Sequence, residues 1–310
     1  MYKHERLAGC ILAGAIGDAW GSGYENLPKP RESNTFYLQP PSVSRPAWQL
    51  TDDTQLTLVT LEALCQGPHL TPAQLAAALA NAYSRGLLTG LGASTLKALR
   101  ELRAGGDWSQ AGRAGEYGAG NGAAMRIAPF AFWGRYSPAE LSDFCRITHH
   151  HPDAYAGALA VVLAIRASMA GHWTGTEPLL ALLLPQMPDT RVRDRLLEIQ
   201  ALPGQPTIAD VARLGTSGYV VDSVPFALFC ASQVPRLGLR AMLAATIAAG
   251  GDTDTNASLA GQVAGALLGQ QAIPDELPSK LRRVDGYNWL QRVVAMAQQS
   301  VAPFTSQQEG

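Results

Sequence analysis

Apolar residues recur at three- and four-residue spacing along almost the whole chain. This helical period is the feature of the sequence that most constrains its fold class. Glycine and proline separate successive periodic segments, as expected for short connections between helices. No segment shows a convincing alternation of apolar and polar residues with the period of two that a half-buried strand needs. The nearest candidate, Phe36-Tyr37-Leu38, is only a few residues long. The sequence therefore predicts an all-α fold.

Capping residues mark where several of these helices begin. Ser137-Pro138-Ala139-Glu140 is a capping box with proline at the first helical position, and it predicts a helix that reaches His149. Pro152 begins a long Ala-rich helix, and residues 28–46, which are rich in proline, are expected to form an irregular surface loop. The helical period predicts further helices at residues 7–20, 51–66, 71–85, 93–103, 176–186, 189–200, 207–214, 222–233, 238–249, 254–269 and 286–302.

Composition limits both the domain count and the class of partner. A chain of 310 residues with 47% apolar and 16% charged residues can build one large core. No break in composition divides it, so we predict a single compact multi-helix domain at residues 1–303 and a disordered tail at residues 304–310. A formal net charge of −1 excludes the strong attraction that sequence-independent binding to nucleic acids or membrane surfaces requires. We therefore expect no membrane and no stable nucleic-acid partner.

The cysteines and the N-terminus indicate a compartment. The four cysteines are widely scattered, show no metal-binding spacing and are expected to be free, buried thiols: Cys10, Cys65, Cys145 and Cys230. The charged N-terminus leads into a Gly/Ala-rich helix without a signal-peptide cleavage site. Arg166 interrupts the most membrane-like run, residues 154–171, which favours a helix of a soluble core. We therefore expect a cytoplasmic protein.

Two clusters of oxygen-bearing side chains, far apart in sequence, each open an apolar helical run. They are Thr51-Asp52-Asp53-Thr54 and Gly250-Gly251-Asp252-Thr253-Asp254-Thr255-Asn256. Either cluster alone is equally compatible with helix capping, by Thr51 in the first and Thr253 or Asp254 in the second. Aspartate and threonine oxygens suit Mg²⁺, Mn²⁺ or Ca²⁺ better than zinc. The pair therefore motivates the hypothesis that the clusters meet around divalent metal.

The carboxylates of this hypothetical centre would repel one another strongly. The side chains that would converge are those of Glu25, Asp52, Asp53, Asp252 and Asp254. Mutual repulsion would raise their pKa values unless cations entered, and two divalent ions would neutralise most of the charge. An EF-hand is excluded, because Ala257 stands where its turn needs glycine and Val263 where its bidentate glutamate belongs.

Two further motifs bear on a ligand. The glycine-rich stretch Gly118–Arg126 could present successive backbone N–H groups to a phosphate at the start of the helix that follows. It lacks the end of a P-loop and any preceding strand, so a plain interhelix turn is the competing interpretation. Thr148-His149-His150-His151 is placed at a helix end, where imidazole can bind terminal carbonyls or face solvent. Tyr219, as an isolated aromatic residue, is expected to pack or to stack on a base.

Taken in order, these motifs resemble the ADP-ribosylglycohydrolase family over most of the chain. The motifs that carry the resemblance are Gly14-Ala15-Ile16-Gly17-Asp18-Ala19-Trp20-Gly21 with Glu25, Leu50-Thr51-Asp52-Asp53-Thr54, Gly120-Asn121-Gly122-Ala123-Ala124-Met125-Arg126, Thr148-His149, Gly218-Tyr219-Val220-Val221-Asp222-Ser223 and Gly250-Gly251-Asp252-Thr253-Asp254-Thr255. The resemblance implies the all-α fold of that family.

The resemblance also implies a centre of two divalent cations, Mg²⁺ or Mn²⁺. Its ligands would be Thr51, Asp52, Asp53, Asp252, Asp254 and Thr255. By the same resemblance, Gly120, Asn121 and Gly122 would hold a diphosphate. His149 would contact the ribose or a phosphate, and Tyr219 would lie beside the nucleotide.

The activity that the resemblance implies is hydrolysis of the ribosyl C1″ bond of ADP-ribosylated substrates, which releases ADP-ribose and reverses the modification. Glu25, Asp53 and Asp252 would be the catalytic residues. Water activated by metal and general acid–base catalysis by Glu25 remain alternatives. The partner would be an ADP-ribosylated protein, or a small molecule or nucleic acid that carries ADP-ribose; arginine, serine, an acetyl ester and nucleic acid all stay open as acceptors. The competing functions are a catalytically silent ADP-ribose-binding or crystallin-like protein and another metal-dependent nucleotide hydrolase.

Overall fold

The computed structural model describes residues 1–25, 47–134 and 136–301. In this part of the chain α-helices account for nearly all regular structure, which confirms the all-α fold. The helices are α1 (Lys3–Gly21), α2 (Asp52–Cys65), α3 (Pro72–Ser84), α4 (Ala93–Arg103), α5 (Pro138–Arg146), α6 (Pro152–Met169), α7 (Leu179–Leu183), α8 (Arg191–Gln200), α9 (Ile208–Ala212), α10 (Val220–Ser232), α11 (Val234–Leu237), α12 (Leu239–Ala248), α13 (Thr253–Leu268), α14 (Glu276–Leu281) and α15 (Tyr287–Ser300). None of the helices in these described ranges is long and apolar enough to cross a membrane.

Most predicted helices form close to their expected bounds, and α4 matches its prediction at both ends. The helix that begins at the Ser137 capping box ends at Arg146, so the prediction that it reaches His149 is wrong. Residues 149–150 instead form β2 (His149–His150), which pairs in parallel with β1 (Arg113–Ala114). The short helices α11 and α14 were not predicted, because each contains a proline, which in the sequence indicates a junction between helices.

Some expectations fall outside the described residues, and one needs a small correction. The predicted loop at residues 28–46, the candidate strand at residues 36–38 and the predicted tail at residues 304–310 all lie outside the described ranges. The four cysteines are free, as predicted, but only three of them are buried. Cys65 is half-buried, because it lies at the last turn of α2, where the helix reaches the surface.

Helices α1 and α13 run antiparallel in such close contact that glycine is required along their interface. A Cβ atom at Gly17 would lie 2.1 Å from the carbonyl oxygen of Ala257, and one at Gly265 would lie 2.1 Å from that of Gly9. Side chains of ordinary size cannot fit between backbones at this distance. The pairing places the end of α1, with Asp18, against the beginning of α13.

We expect Gly17→Ala to lower the free energy of unfolding by about 2–3 kcal/mol, since the new methyl group overlaps the backbone of α13. Urea denaturation followed by far-UV circular dichroism measures the change. Gly67→Ala is the matched control, because a Cβ atom there meets nothing within 4 Å. Equal losses in the two variants would show that the close approach of α1 to α13 does not limit stability.

The Ala-rich helix α6 lies in the interior, as predicted for a helix of the core. A Cβ atom at Gly157 would lie 2.4 Å from the Val220 side chain, so α6 packs closely against the first turn of α10. This contact fixes the beginning of α10 and the residue before it, Tyr219, beside the glycine-rich loop. The interior helices therefore place the loops that carry the predicted ligand-binding residues.

Candidate metal and ligand site

A cavity of about 620 Å³ opens where α2 and α13 begin. Ten of the twelve residues predicted to carry function line it: Glu25, Asp52, Asp53, Gly120, Asn121, Gly122, His149, Asp252, Asp254 and Thr255. Thr51 and Tyr219 do not. The two acidic clusters therefore face the same cavity. No local sequence pattern predicts this, because a long stretch of chain separates them.

Asp18, near the end of α1, fixes the first turn of α2. Its carboxylate accepts hydrogen bonds from the backbone N–H and the hydroxyl of both Thr51 and Thr54. Thr51 is the N-cap of α2, and its hydroxyl donates to Asp18 Oδ1 at 2.7 Å. With the capping groups occupied in this way, the side chains of Asp52 and Asp53 face the cavity.

Sequence reasoning missed this role of Asp18. A visible signal was an acidic residue within a helix whose other buried positions are apolar or glycine. Asp18 is fully buried. A charge is kept in such a place when several donors satisfy it, and here the donors come from another helix.

We expect Asp18→Asn to weaken Mn²⁺ binding by about 10- to 100-fold, because an amide cannot accept all four hydrogen bonds that orient the first turn of α2. Electron paramagnetic resonance of free Mn²⁺ measures the affinity. Asp107→Asn is the control, since Asp107 is exposed and also accepts hydrogen bonds, from Ser109. Unchanged Mn²⁺ affinity in Asp18→Asn, with helical content preserved, would refute the positioning role.

Asp53 and Asp254 bring the two clusters into contact. Thr255 Oγ1 donates to Asp53 Oδ2 at 3.0 Å, which joins α13 to α2 directly. Carboxylate oxygens of Asp18, Asp53 and Asp254 lie within 4.8 Å of one another. A second group of the same size consists of Glu25, Asp252 and Asp254. Asp254 belongs to both groups and is the centre of the acidic cluster.

Asp252 is held by the loops around it. Asn121 Nδ2 donates to Asp252 Oδ2 at 2.7 Å. The Asp252 N–H donates to the carbonyl oxygen of Thr216 at 2.9 Å. Gly251 has a φ of 81°, and a Cβ atom there would lie 2.3 Å from that same carbonyl oxygen, so glycine is required. The Asn121 amide, predicted to lie at a diphosphate, orients a carboxylate.

Burial is the main electrostatic feature of the cluster. It raises the pKa of Asp18 to about 6, that of Asp52 to about 7 and that of Asp254 to about 9. Burial also raises the pKa of Asp53 well above its usual range. For Asp53 and Asp254, the charges of neighbouring carboxylates raise the pKa further. Crowded, desolvated carboxylates of this kind favour either protonation or a bound cation.

The donor set fits a hard divalent cation. Asp53 Oδ1 is buried and has no hydrogen-bond partner among the described residues, so one lone-pair direction of the cluster is unsatisfied. The neighbouring ligand atoms are carboxylate and hydroxyl oxygens, which Mg²⁺ and Mn²⁺ prefer. In the described part of the chain no lysine or arginine lines the cavity to neutralise this charge. Thr51 does not line the cavity, and its hydroxyl donates to Asp18, so direct ligation by Thr51 stays a prediction.

The glycine-rich loop lines the cavity beside the acidic cluster. It contains a 3-10 helix at Asn121–Ala123, so the expected α-helix directly after the glycines does not form. The His149 ring packs on it: a Cβ atom at Gly122 would lie 2.8 Å from His149 Cε1. His149 is buried, which lowers its pKa to about 3 and keeps the ring neutral. The glycines therefore let the loop lie close to an uncharged imidazole.

Tyr219 lies just outside the cavity. Its backbone forms an antiparallel bridge with Gly120. The Arg191 guanidinium lies 5.5 Å from the centre of its ring. Arg191 Nε in turn donates to the buried carboxylate of Asp153 at 2.7 Å. Tyr219 is thus held at the end of the glycine-rich loop, and a ligand that reached it would have to extend beyond the cavity.

Comparison with known proteins places the chain among related sequences and folds. The model of the family described as ADP-ribosylglycohydrolase matches residues 2–309. The chain is 29% identical over 306 residues to ADP-ribosylarginine hydrolase Tri1 of Pseudomonas putida, which covers 95% of this chain and 77% of that protein. It is 27% identical over 312 residues to ADP-ribosylhydrolase ARH3 of Danio rerio, which covers 87% and 84%, respectively. A solved structure described as an ADP-ribosylglycohydrolase-related protein complex shares the fold, with a TM-score of 0.71, 24% identity and coverage of 97% of this chain and 99% of that one.

Proposed function

The chain belongs to the ADP-ribosylglycohydrolase family, and on that premise we propose that it hydrolyses the C1″ bond between ADP-ribose and an acceptor, with two divalent cations as cofactors. Family membership supports hydrolysis of an ADP-ribosyl linkage. One observation supports this cavity as the site of the reaction: two groups of closely spaced carboxylates share Asp254. Such a cluster is costly to bury unless bound cations neutralise its charge.

The residues that would hold the cations are those of the two clusters. They are Asp52, Asp53, Asp252, Asp254 and Thr255, with Thr51 at the N-cap of α2. Divalent cations bound there would neutralise the carboxylates and act as Lewis acids toward the hydroxyl groups of the ribose. The fixed positions of Asp53, through Thr255, and of Asp252, through Asn121, would orient the sugar by holding their oxygens in place.

Glu25 is the residue best placed to move a proton. It is exposed, lines the cavity, and has a carboxylate oxygen within 4.8 Å of oxygens of Asp252 and Asp254. In hydrolysis the oxygen of water forms a bond to C1″, and the bond from C1″ to the acceptor breaks. Glu25 can take the proton that water loses and pass it to the acceptor as that group leaves, which restores the Glu25 carboxylate.

The glycine-rich loop and His149 would bind the anionic part of the substrate. Gly120, Gly122 and His149 line the same cavity as the carboxylates, and the His149 ring lies next to both glycines. Because glycine has no side chain, the backbone N–H groups at these two positions can donate hydrogen bonds to the oxygens of a diphosphate. The substrate would then extend from the acidic cluster, with its ribose, to the loop, with its phosphates.

The direct test is release of ADP-ribose from a panel of substrates. The purified chain, with Mg²⁺ or Mn²⁺, is incubated with arginine-, serine- and DNA-linked ADP-ribose and with O-acetyl-ADP-ribose, and released ADP-ribose is measured by chromatography. Arginine-linked substrate comes first, because Tri1 is an ADP-ribosylarginine hydrolase. Release that depends on added metal supports the proposal. Binding of ADP-ribose without release from any substrate would favour a silent binding protein instead.

We expect Glu25→Gln to lower kcat by about 100-fold or more at saturating Mg²⁺, because the amide cannot accept the proton of water. The Mn²⁺ affinity should fall much less than in Asp254→Asn, since Glu25 belongs to only one of the two carboxylate groups and Asp254 to both. Glu276→Gln is the control, because Glu276 is exposed and does not line the cavity. A wild-type rate in Glu25→Gln would rule out the acid–base role.

A further inference from the structure

Three buried polar side chains form a hydrogen-bonded chain behind the glycine-rich loop. Arg126 Nη2 donates to Thr148 Oγ1 at 3.2 Å and to the carbonyl oxygen of Phe144 at 2.9 Å. Thr148 Oγ1 lies 2.8 Å from His149 Nδ1. Arg126 and Thr148 are fully buried, whereas His149 lines the cavity. The chain therefore connects a cation in the interior to a ring at the cavity wall.

The partners of the Thr148 hydroxyl decide which ring nitrogen of His149 carries hydrogen. A guanidinium can only donate, so the Thr148 oxygen accepts from Arg126. Among the described residues, His149 Nδ1 is then the acceptor left for the hydrogen of the hydroxyl. In that arrangement Nδ1 is unprotonated and Nε2 carries the ring hydrogen. The reverse arrangement would leave a buried hydroxyl hydrogen without a partner, which is unfavourable.

The ring is placed to use that hydrogen in the cavity. A Cβ atom at Gly120 would lie 3.1 Å from His149 Nε2, so this nitrogen faces the glycine-rich loop. Burial holds the ring neutral by lowering its pKa, and the charges of Arg126, His150 and Arg113 lower it further. A neutral ring of this tautomer has one donor, and that donor faces the loop.

Arg126 also supplies a charge that the acidic cluster cannot neutralise. No carboxylate pairs with it in the described part of the chain, and its Nε and Nη1 atoms have no hydrogen-bond partner there. Burial lowers its pKa to about 10, which leaves it charged at neutral pH. A lysine or arginine in the cavity wall would pair with Asp252 or Asp254. In the described residues no hydrogen bond or ion pair joins the buried Arg126 guanidinium to these carboxylates, so its positive potential is available to an anion.

We propose that Arg126 and Thr148 are positioning residues that hold His149 as the neutral Nε2–H tautomer, so that the ring donates a hydrogen bond to an anionic oxygen of the ligand. The identity of that ligand, the diphosphate of ADP-ribose, rests on the proposed function. The tautomer itself depends only on the hydrogen bonds of the protein.

Long-range ¹H–¹⁵N spectra of the full chain, labelled with [¹⁵N]histidine and free of metal, test the tautomer directly. His149 is assigned by its loss in His149→Gln. We expect the shifts of a neutral ring protonated at Nε2, without titration between about pH 6 and about pH 8. A ring protonated at Nδ1, or a positively charged ring, in the wild-type chain would overturn the inference.

Two variants at Thr148 separate positioning from simple packing. Thr148→Val keeps the shape but removes the hydroxyl, and we expect it to lose the single tautomer and to bind ADP-ribose about tenfold more weakly by calorimetry. Thr148→Ser keeps the hydroxyl and should restore both. An unchanged tautomer and affinity in Thr148→Val would refute the role of this chain of hydrogen bonds.

The two readouts also distinguish this inference from the proposed function. If wild-type protein shows the Nε2–H tautomer but does not bind ADP-ribose, the proposed function and the ligand assigned here both fail, while the positioning role stands. If ADP-ribose binds while His149 is protonated at Nδ1, the assignment of ADP-ribose as the ligand of this cavity stands and the positioning role fails.

Discussion

Asp254→Asn is expected to lower turnover by at least about 100-fold and to weaken Mn²⁺ binding by a similar factor. Asp254 is the carboxylate shared by both groups of acidic oxygens, so this substitution reduces the charge of both at once. Its Oδ1 also accepts a hydrogen bond from the Thr255 N–H at 2.9 Å, which the amide oxygen of asparagine can still accept. The local fold of α13 should therefore survive the change.

Stability of the metal-free protein provides the internal control for that variant. Burial and the charge of Asp252 raise the pKa of Asp254 to about 9, so without a cation the native state holds a proton that the unfolded state releases at neutral pH, and this lowers its stability. An uncharged asparagine side chain removes that penalty; the variant should therefore be at least about 1 kcal/mol more stable than wild type in EDTA at neutral pH. The inactive variant would then be the better folded one.

The assay for Asp254→Asn combines three measurements on one preparation: ADP-ribose release, Mn²⁺ binding and urea denaturation in EDTA. Asp189→Asn is the matched control, because the Asp189 side chain is 98% exposed and belongs to neither carboxylate group. Full turnover in Asp254→Asn would remove the two-cation assignment. Lost turnover accompanied by lost stability in EDTA would mean that the residue is structural.

Residue chemistry alone predicted much of this site. The clusters at residues 51–54 and 250–256 were recognised by the density of hard oxygen atoms at the starts of helices, a pattern that does not depend on the fold. The bounds of α4 followed from its apolar period and the start of α5 from the Ser137 capping box, and both signals act within a few positions. Features that depend on residues close together in the sequence could therefore be predicted.

Features that depend on tertiary contacts could not be predicted from the sequence. Asp18 accepts from residues 33 and 36 positions away, and Asn121 binds Asp252 across 131 positions. No local pattern connects such pairs. The predicted end of α5 was wrong for a similar reason. His149 is not helical, because its backbone pairs with that of Arg113, far upstream in the sequence. Long-range hydrogen bonds therefore decided the details that periodicity could not.

The stability of the metal-free protein should fall as pH rises, and divalent metal should abolish the fall. A carboxylate whose native pKa is raised binds its proton more tightly in the native state than in the unfolded state. Stability is therefore greatest below the unfolded pKa and declines as pH rises toward the native pKa. For Asp254 the native value is about 9, so the decline extends through neutral pH.

Other groups restrict the range in which this effect can be seen. His149 has a lowered pKa, so it adds stability as pH rises through about 6.5, the ordinary histidine value, and opposes the decline below that point. Buried Cys10, Cys145 and Cys230 have raised pKa values and would add their own decline above about pH 9. The range from about pH 7 to about pH 8.5 avoids both contributions.

Over that range we expect metal-free wild type to lose about 2 kcal/mol of unfolding free energy relative to Asp254→Asn, since one proton bound in the native state changes stability by about 1.4 kcal/mol per pH unit. Urea denaturation of both proteins in EDTA at each pH measures the difference, and the shared contributions of histidine and cysteine cancel. Saturating Mg²⁺ should remove the pH dependence of wild type alone, because a bound cation keeps the carboxylates ionised. Parallel pH profiles for the two metal-free proteins would show that Asp254 carries no such penalty, and would remove the electrostatic reason for placing a cation between α2 and α13.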